Sequence, residues 1–224
     1  MFNYKKMNSK FFFNGFFVTG TDTNIGKTIV SAVLVNKLNA NYWKPIQCGK
    51  DEKKLTDSQK IKNLLNLESH KIYPETYVLN NPLSPNIAAK KENVNIDLEK
   101  LKKQKIEQNK FTIVEGAGGL LVPINEKYLM IDMIKYFKLP VILVAKTELG
   151  TINHTLLSLE VLANRKQQIK GIIFVGKNQY DTIQTIKYFS KEILNCEVKV
   201  LGVINLVNKI NKNNIIEFGN LIEI

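Results

Sequence analysis

The apolar positions of this chain fall into short, nearly unbroken runs, separated by longer stretches where apolar residues recur with helical spacing. Val141–Val144 and Ile172–Val175 contain no polar residue. Runs of this kind mark parallel strands buried on both faces, whereas a half-exposed strand would alternate. The pattern predicts strands at Phe12–Val18, Phe111–Val114, Pro140–Ala145, Gly171–Val175 and Val198–Ile204, with a short extended segment at Tyr42–Ile46. Between them it predicts helices over Lys27–Asn39, Asp57–Leu67, Leu98–Gln108, Ile131–Phe137, Ile152–Arg165 and Thr182–Leu194. Residues 70–95, which include Pro74, Pro82 and Pro85, read as loop, and the tail Asn214–Ile224 receives no assignment. Strands alternating with helices imply right-handed crossovers and one α/β domain over residues 1–224: a doubly wound, mostly parallel sheet with helices on both faces.

In such sheets ligands bind outside the carboxyl ends of the strands, so the residues following each run carry the candidate chemistry. The first run leads into Gly20-Thr-Asp-Thr-Asn-Ile-Gly26-Lys27-Thr28. A glycine-rich turn between a strand and a helix aims backbone N–H groups and the helix dipole at phosphates. The lysine reaches the outer phosphate oxygens and the threonine hydroxyl takes Mg²⁺. The loop carries five residues between its glycines where the strict P-loop pattern has four, but its context is that of a P-loop NTPase. Asn24, Ile25, Gly26, Lys27, Thr28 and Ile29 are the phosphate-loop candidates.

Lys44-Pro45-Ile46-Gln47-Cys48-Gly49 ends the next extended segment. Lys44 reads either as a surface lysine before a turn proline or as a second cation for a transferring phosphoryl group. Asp57 opens a helix, where a plain helix-start carboxylate needs no further function. Phe111-Thr-Ile-Val-Glu115-Gly-Ala-Gly-Gly119 sets a carboxylate at a strand tip, the usual second Mg²⁺ contact of nucleotide-hydrolysing proteins, ahead of residues small enough for a ligand to approach the backbone. Glu115, Gly116, Ala117 and Gly118 are therefore nucleotide-site candidates. Thr28 and Glu115 are thus the candidate Mg²⁺ contacts. Lys146-Thr-Glu-Leu-Gly150-Thr-Ile-Asn153-His154 opens another helix, whose Gly150–Asn153 N–H groups suit a carboxylate. Thr151 reads as a cap and His154 as a packed or capping histidine.

Composition narrows the class. The chain has 224 residues, 44% hydrophobic and 23% charged, which excludes disordered or fibrous proteins. No apolar run approaches the roughly 20 residues that span a bilayer. Two distant cysteines, Cys48 and Cys196, give neither a disulfide framework nor a CxxC metal site and fit a reducing cytoplasm. The net charge is +12, but Arg165 is the only arginine and the lysines are spread along the chain. Specific nucleic-acid binders concentrate charge and favour arginine. Lys5, Lys6, Lys10 and the phenylalanines after them suggest a secretion signal, but Asn14 and Gly15 interrupt the apolar stretch and no small-residue cleavage site follows. Residues 1–10 read as a short basic extension.

Taken in order, Gly20–Thr28, Lys44-Pro45 with Gly49, Ser84-Pro85, Val114-Glu-Gly-Ala-Gly-Gly119 and Leu149-Gly-Thr-Ile-Asn-His154 closely resemble the dethiobiotin synthetase family over most of the chain. The resemblance implies a cytoplasmic, MgATP-dependent cyclo-ligase. Its substrates would be 7,8-diaminopelargonic acid and CO₂ (or bicarbonate), closed to dethiobiotin through a carbamate and a carbamic–phosphoric anhydride. It further implies Lys44 and Lys27 as catalytic cations, Asp57 completing a nucleotide-metal site with Thr28 and Glu115, Thr23 and Cys48 at the diamine, and a homodimer in which Gly150 and Asn153 of the other subunit hold the substrate carboxylate. Val175, Gly176 and Asn205 fall at the expected base site.

Four positions depart from the family pattern. Asn24 replaces a common glutamate, and Cys48 a small hydroxyl residue. The adenine-reading asparagine after the Gly171–Val175 strand is absent, with Val175 or Gly176 in its place. Gly202-Val-Ile-Asn205 lacks the family's proline. The last two predict weak discrimination among nucleoside triphosphates. The competing readings are a partition-type ATPase of the same architecture, which would carry an extra lysine early in the loop, and a basic nucleic-acid or partner-binding module with no membrane association.

Overall fold

The structure is a computed structural model and describes residues 13–207 and 209–224. Seven parallel strands form the main sheet in the order β4-β2-β6-β1-β7-β8-β9. They are β1 (Gly15–Gly20), β2 (Asn41–Trp43), β4 (Ile72–Tyr73), β6 (Thr112–Gly119), β7 (Val141–Lys146), β8 (Ile169–Val175) and β9 (Val200–Ile204), and every neighbouring pair is parallel. A separate parallel pair joins β3 (Ile46–Cys48) to β5 (Tyr77–Leu79). The central strand β1 lies between β6 on one side and β7 on the other. The loop after it therefore opens where the chain's winding reverses, the usual ligand crevice of such sheets.

Alternate residues along the strands feed different layers, as the period of two requires. Phe16, Val18, Tyr42, Ile113, Ile142 and Ile173 pack with α1 (Lys27–Lys37), α2 (Asp57–Leu65) and α8 (Lys212–Asn220). Phe17, Trp43 and Val114 face the opposite way, toward α3 (Pro85–Lys91), α4 (Leu98–Leu101) and α5 (Met130–Phe137). Leu143, Ala145, Ile172 and Phe174 pack on α6 (Thr151–Asn164) and α7 (Tyr180–Leu194). The double layering of helices is what the continuous apolar runs required.

The structure corrects the sequence reading at several elements. The region 70–95 is not loop throughout: it holds β4, β5 and α3. Ser84 sits at the N-cap of α3 with Pro85 at its first turn, so the proline that suggested a break starts a helix. The helix expected over Leu98–Gln108 is the single turn α4: Leu98 and Leu101 are buried, but in the lysine-rich continuation only Ile106 reaches the core, which leaves no continuous apolar stripe to hold further turns. The first strand begins later than expected, at Gly15, opposite the start of its partner at Thr112; Phe11, Phe12 and the basic extension 1–10 lie outside the described residues. The unassigned tail contains α8, closed by an Asn211/Asn214 capping box and packed through Ile215 and Phe218. Among the described residues no helix is long and apolar enough to cross a membrane.

Candidate functional site

The phosphate loop runs from the buried end of β1 into α1. Thr21 N–H binds the Val144 carbonyl of β7 at 3.0 Å, which pins the loop's entry. Asn24 and Gly26 adopt left-handed backbone, with φ of 52° and 98°, and Gly26 caps α1 without a side-chain hydrogen bond. The first N–H groups of α1 are thus free for a ligand. A Cβ at Gly26 would lie 3.1 Å from the Val175 methyls, so the loop is seated against the end of β8. Lys27 is buried, and its Nζ donates to the Asp22 carbonyl at 2.6 Å. Burial lowers its pKa to about 8, against the opposing pull of Glu115.

Across the loop lies a network centred on Lys44. Its ammonium is buried, donates to Glu115 Oε1 at 2.9 Å and pairs with Asp57 Oδ2. Burial alone would strip the proton. The charges of Glu115 and Asp57 and their hydrogen bonds outweigh it, holding the Lys44 pKa above the ordinary lysine value. Asp57 moves the opposite way: burial raises it, but Lys44 and Lys60 bring it down to about 2. Lys60 Nζ lies 3.0 Å from Asp57 Oδ1. Asp57 is free for this because Thr56 performs the capping. Thr56 Oγ1 accepts the Gln59 N–H while Gln59 returns the bond to Thr56 N.

Glu115 is 1% exposed. Its Oε1 also accepts the Thr28 hydroxyl at 3.0 Å, and its Oε2 accepts the Tyr42 hydroxyl at 2.9 Å. Burial, then Glu115, raises the Tyr42 phenol well above its usual pKa, so it remains a donor. A Mg²⁺ ion takes hard oxygen ligands at about 2.0–2.1 Å in octahedral geometry, which sets adjacent ligand oxygens about 3 Å apart. The Thr28–Glu115 oxygen pair fits that spacing and that donor chemistry. Among the described residues no three His, Cys, Asp or Glu side chains gather into a metal cage. A sparse oxygen set of this kind suits an ion that keeps water and phosphate ligands.

These groups line one cavity of about 660 Å³. Its wall includes Thr23, Asn24, Ile25, Gly26, Lys27, Thr28 and Ile29 of the loop, together with Lys44, Cys48, Asp57, Glu115, Ala117 and Gly118. Ser84 and Pro85 close it from α3. Gly49, at φ 72°, abuts Pro82, where a Cβ would lie 2.7 Å from the proline Cβ, so the β3 turn and the α3 entry meet only through a glycine. Burial pushes the Cys48 thiol up to about 11.

The remaining candidates lie elsewhere. Gly116 turns toward Phe17 and Met130, where a Cβ would sit 2.9 Å from the Phe17 ring. Val175, Gly176 and Asn205 stand at the ends of β8 and β9, beyond Gly26 on the side away from Lys44. Gly150 caps α6 at φ 92°, and Asn153 and His154 are exposed on its first turn, outside the cavity. His154 is thus neither packed nor a cap. Thr151 does not cap α6 either: its hydroxyl donates back to the Lys146 carbonyl.

Three contributors escaped the sequence reading. Gln47 is 4% exposed; its Oε1 accepts the Asp57 N–H at 3.1 Å and its Nε2 donates to the Gly49 carbonyl. Tyr42 and Lys60 complete the charge network. A polar residue inside Lys44-Pro-Ile-Gln-Cys was the one available signal, since neither the helical spacing of Lys60 nor the apolar context of Tyr42 distinguishes it.

A family model described as "AAA domain" matches residues 14–214. Solved structures of similar fold include the MinD cell division protein of Aquifex aeolicus (TM-score 0.52, 13% identity, 92% of this chain and 95% of that one). Another is the cell division ATPase MinD of Pyrococcus furiosus (0.51, 13%, 93% and 98%). At such identities they speak to architecture alone, that of P-loop ATPases. Sequence relatives speak to more. The chain is 46% identical over 175 residues to the ATP-dependent dethiobiotin synthetase BioD of Brucella anthropi, covering 78% of this chain and 81% of that protein. It is 44% identical over 169 residues to that of Afipia carboxidovorans (75% and 79%), and 42% identical over 195 residues to that of Brucella ovis (87% of each). With a phosphate loop, a caged lysine and relatives of this closeness over most of its length, the chain belongs to the dethiobiotin synthetase family.

Proposed function

We propose that this protein condenses 7,8-diaminopelargonic acid with CO₂ at the expense of ATP, giving dethiobiotin, ADP and phosphate. The observation that carries this reading is Lys44, a buried ammonium held between Asp57 and Glu115 in the same cavity as the phosphate loop. An ATPase that only hydrolyses its nucleotide needs a positioned water. A second buried cation beside the γ-phosphate position suits a reaction in which a carbamate anion must approach a triphosphate anion.

One amine of the substrate captures CO₂ as a carbamate. A carbamate oxygen attacks the γ-phosphorus and ADP departs, leaving a carbamic–phosphoric anhydride. The second amine attacks its carbonyl carbon and expels phosphate, closing the cyclic urea. Lys44 serves throughout as a fixed positive charge, because its neighbours keep it protonated. Lys27 exchanges the Asp22 carbonyl for phosphate oxygens, and the freed N–H groups of α1 complete the cradle. Most of the acceleration is then positioning and charge stabilisation. Thr28, Glu115 and Asp57 would hold Mg²⁺, which would supply charge neutralisation to the phosphates as the γ-phosphoryl group is transferred. Thr23 and Cys48 face the diamine.

The nucleoside runs the other way along the loop, toward Val175, Gly176 and Asn205. Gly176 offers no side chain there: it has φ 133°, and a Cβ would fall 2.3 Å from Thr147 Oγ1. Its N–H is already bound to the Ile204 carbonyl at 2.8 Å. The base edge is read weakly, and other triphosphates replace ATP.

The substrate carboxylate reaches the exposed N-terminus of α6 in a second subunit, at Gly150 and Asn153, which makes the working unit a homodimer. The reaction belongs to the cytoplasm, a reading supported by the free thiols of Cys48 and Cys196. The test is phosphate release from MgATP with and without the diamine and bicarbonate, with the organic product identified by mass. Release that depends on the diamine and yields dethiobiotin is expected; diamine-independent hydrolysis would return the partition-type reading.

A further inference from the structure

Tyr42 takes part in none of the sequence motifs, yet its phenol reaches the carboxylate at the centre of the site. The strand register explains how. Tyr42 pairs with Ile113 across β2 and β6, and Glu115 lies two residues beyond Ile113, hence on the same face of the sheet. The ring runs along the strands beneath α1 and α2, is 0% exposed, and ends with its hydroxyl 2.9 Å from Glu115 Oε2. The other oxygen, Oε1, accepts Lys44 Nζ at 2.9 Å and Thr28 Oγ1 at 3.0 Å. The two carboxylate oxygens therefore have separate partners, one from the core and one from the site.

We propose that Tyr42 is a positioning residue: by occupying Oε2 it fixes the rotation of the Glu115 carboxylate, so that Oε1 alone faces Thr28, Lys44 and the divalent cation that accompanies the nucleotide. A buried carboxylate oxygen without a donor is costly. In the absence of the phenol, Glu115 relieves that cost by turning, so that its two oxygens share the Thr28 and Lys44 donors and the metal-facing geometry is lost. Lys44 and Thr28 cannot prevent this by themselves, because both bind the same oxygen. The inference rests on the metal-binding part of the proposed function and not on the identity of the second substrate.

The test uses the full chain and calorimetric titration of ADP with and without Mg²⁺, together with MgATP turnover in the presence of the diamine. In Tyr42→Phe, which keeps the ring and its packing, the gain in ADP affinity conferred by Mg²⁺ falls about tenfold, as expected for losing a hydrogen bond to a charged group. Metal-free ADP affinity, which depends on Lys27 and the loop, stays within twofold. In a Glu115→Gln background the same Tyr42→Phe change has no further effect on the Mg²⁺ gain. A Tyr42→Phe protein with lowered thermal stability but an unchanged Mg²⁺ gain would reduce Tyr42 to a core residue and overturn the proposal. A further fall in the Glu115→Gln background would also overturn it, since Tyr42 would then act by another route. Because ADP binding needs no diamine, wild-type protein that binds MgADP but makes no dethiobiotin would refute the proposed reaction while leaving this test intact.

Discussion

Lys44 directly follows β2, while Glu115 lies inside the adjacent parallel strand β6, which runs on through Gly119 instead of ending at the carboxylate, and a single carboxylate oxygen of Glu115 receives both the Lys44 ammonium at 2.9 Å and the Thr28 hydroxyl at 3.0 Å. The phosphate loop and the second cation are thus tied to one atom. Removing Lys44 leaves two neighbouring carboxylates, one of them fully buried, without their shared counter-charge. Loss of one partner of a buried ion pair typically costs about 3–5 kcal/mol. Lys44→Met is expected to lower the urea midpoint and to reduce diamine-dependent phosphate release by at least a hundredfold. Normal turnover in a stably folded Lys44→Met protein would remove Lys44 from the reaction.

Cys48 lines the cavity, and burial raises its thiol pKa to about 11. A raised thiol pKa leaves less of the reactive thiolate at any pH below it. At pH 8 Cys48 should therefore react with iodoacetamide roughly a hundredfold more slowly than a thiol at its ordinary value, with the rate climbing as pH rises toward 11. Site-resolved mass spectrometry follows this against the exposed Cys196. Alkylation of Cys48 at the rate of a free thiol would contradict its burial, and bound nucleotide with diamine should slow it further.

Base selectivity should be poor. A site whose polar groups read a base edge rejects the wrong base strongly, whereas a missing partner forfeits about 1–3 kcal/mol of discrimination. The kcat/KM values for ATP, GTP and CTP are expected to lie within about a hundredfold of one another. An ATP preference above about a thousandfold would show that some other group reads the adenine. Restoring a side chain at Gly176 is a poor route to selectivity, because its Cβ would collide with Thr147 and its φ of 133° disfavours any other residue.

If the substrate spans two subunits, Lys44→Ala and Asn153→Ala proteins, each inactive alone, should regain activity when mixed, since one interface of the mixed dimer keeps both groups. The comparison is made after confirming subunit exchange by native mass spectrometry. No recovery despite exchange would place Gly150 and Asn153 outside the working site.

The sequence by itself determined the layered α/β architecture, because uninterrupted apolar runs can be satisfied only by strands covered on both faces. It also determined the phosphate loop, since Gly26-Lys27-Thr28 between a strand and a helix is a local pattern whose geometry follows from its own backbone. Ser84-Pro85 carried a helix-start signal that the surrounding prolines obscured, and the lysines after Leu101 imitated a helix with no core to hold it. What no local pattern contained was the convergence of Lys44, Asp57, Glu115 and Tyr42, which come from three separate strands or helices. Lys44 and Asp57 were each as consistent with a surface lysine and a helix-start carboxylate until the pairing of β2 with β6 brought Lys44 to the buried Glu115 and α2 set Asp57 against the same ammonium. Thr56 took over the helix cap, and Tyr42 read as one more apolar strand residue. Only the tertiary structure decided these roles, because burial, which gives a charge or a phenol its strength, is set by everything that packs around it.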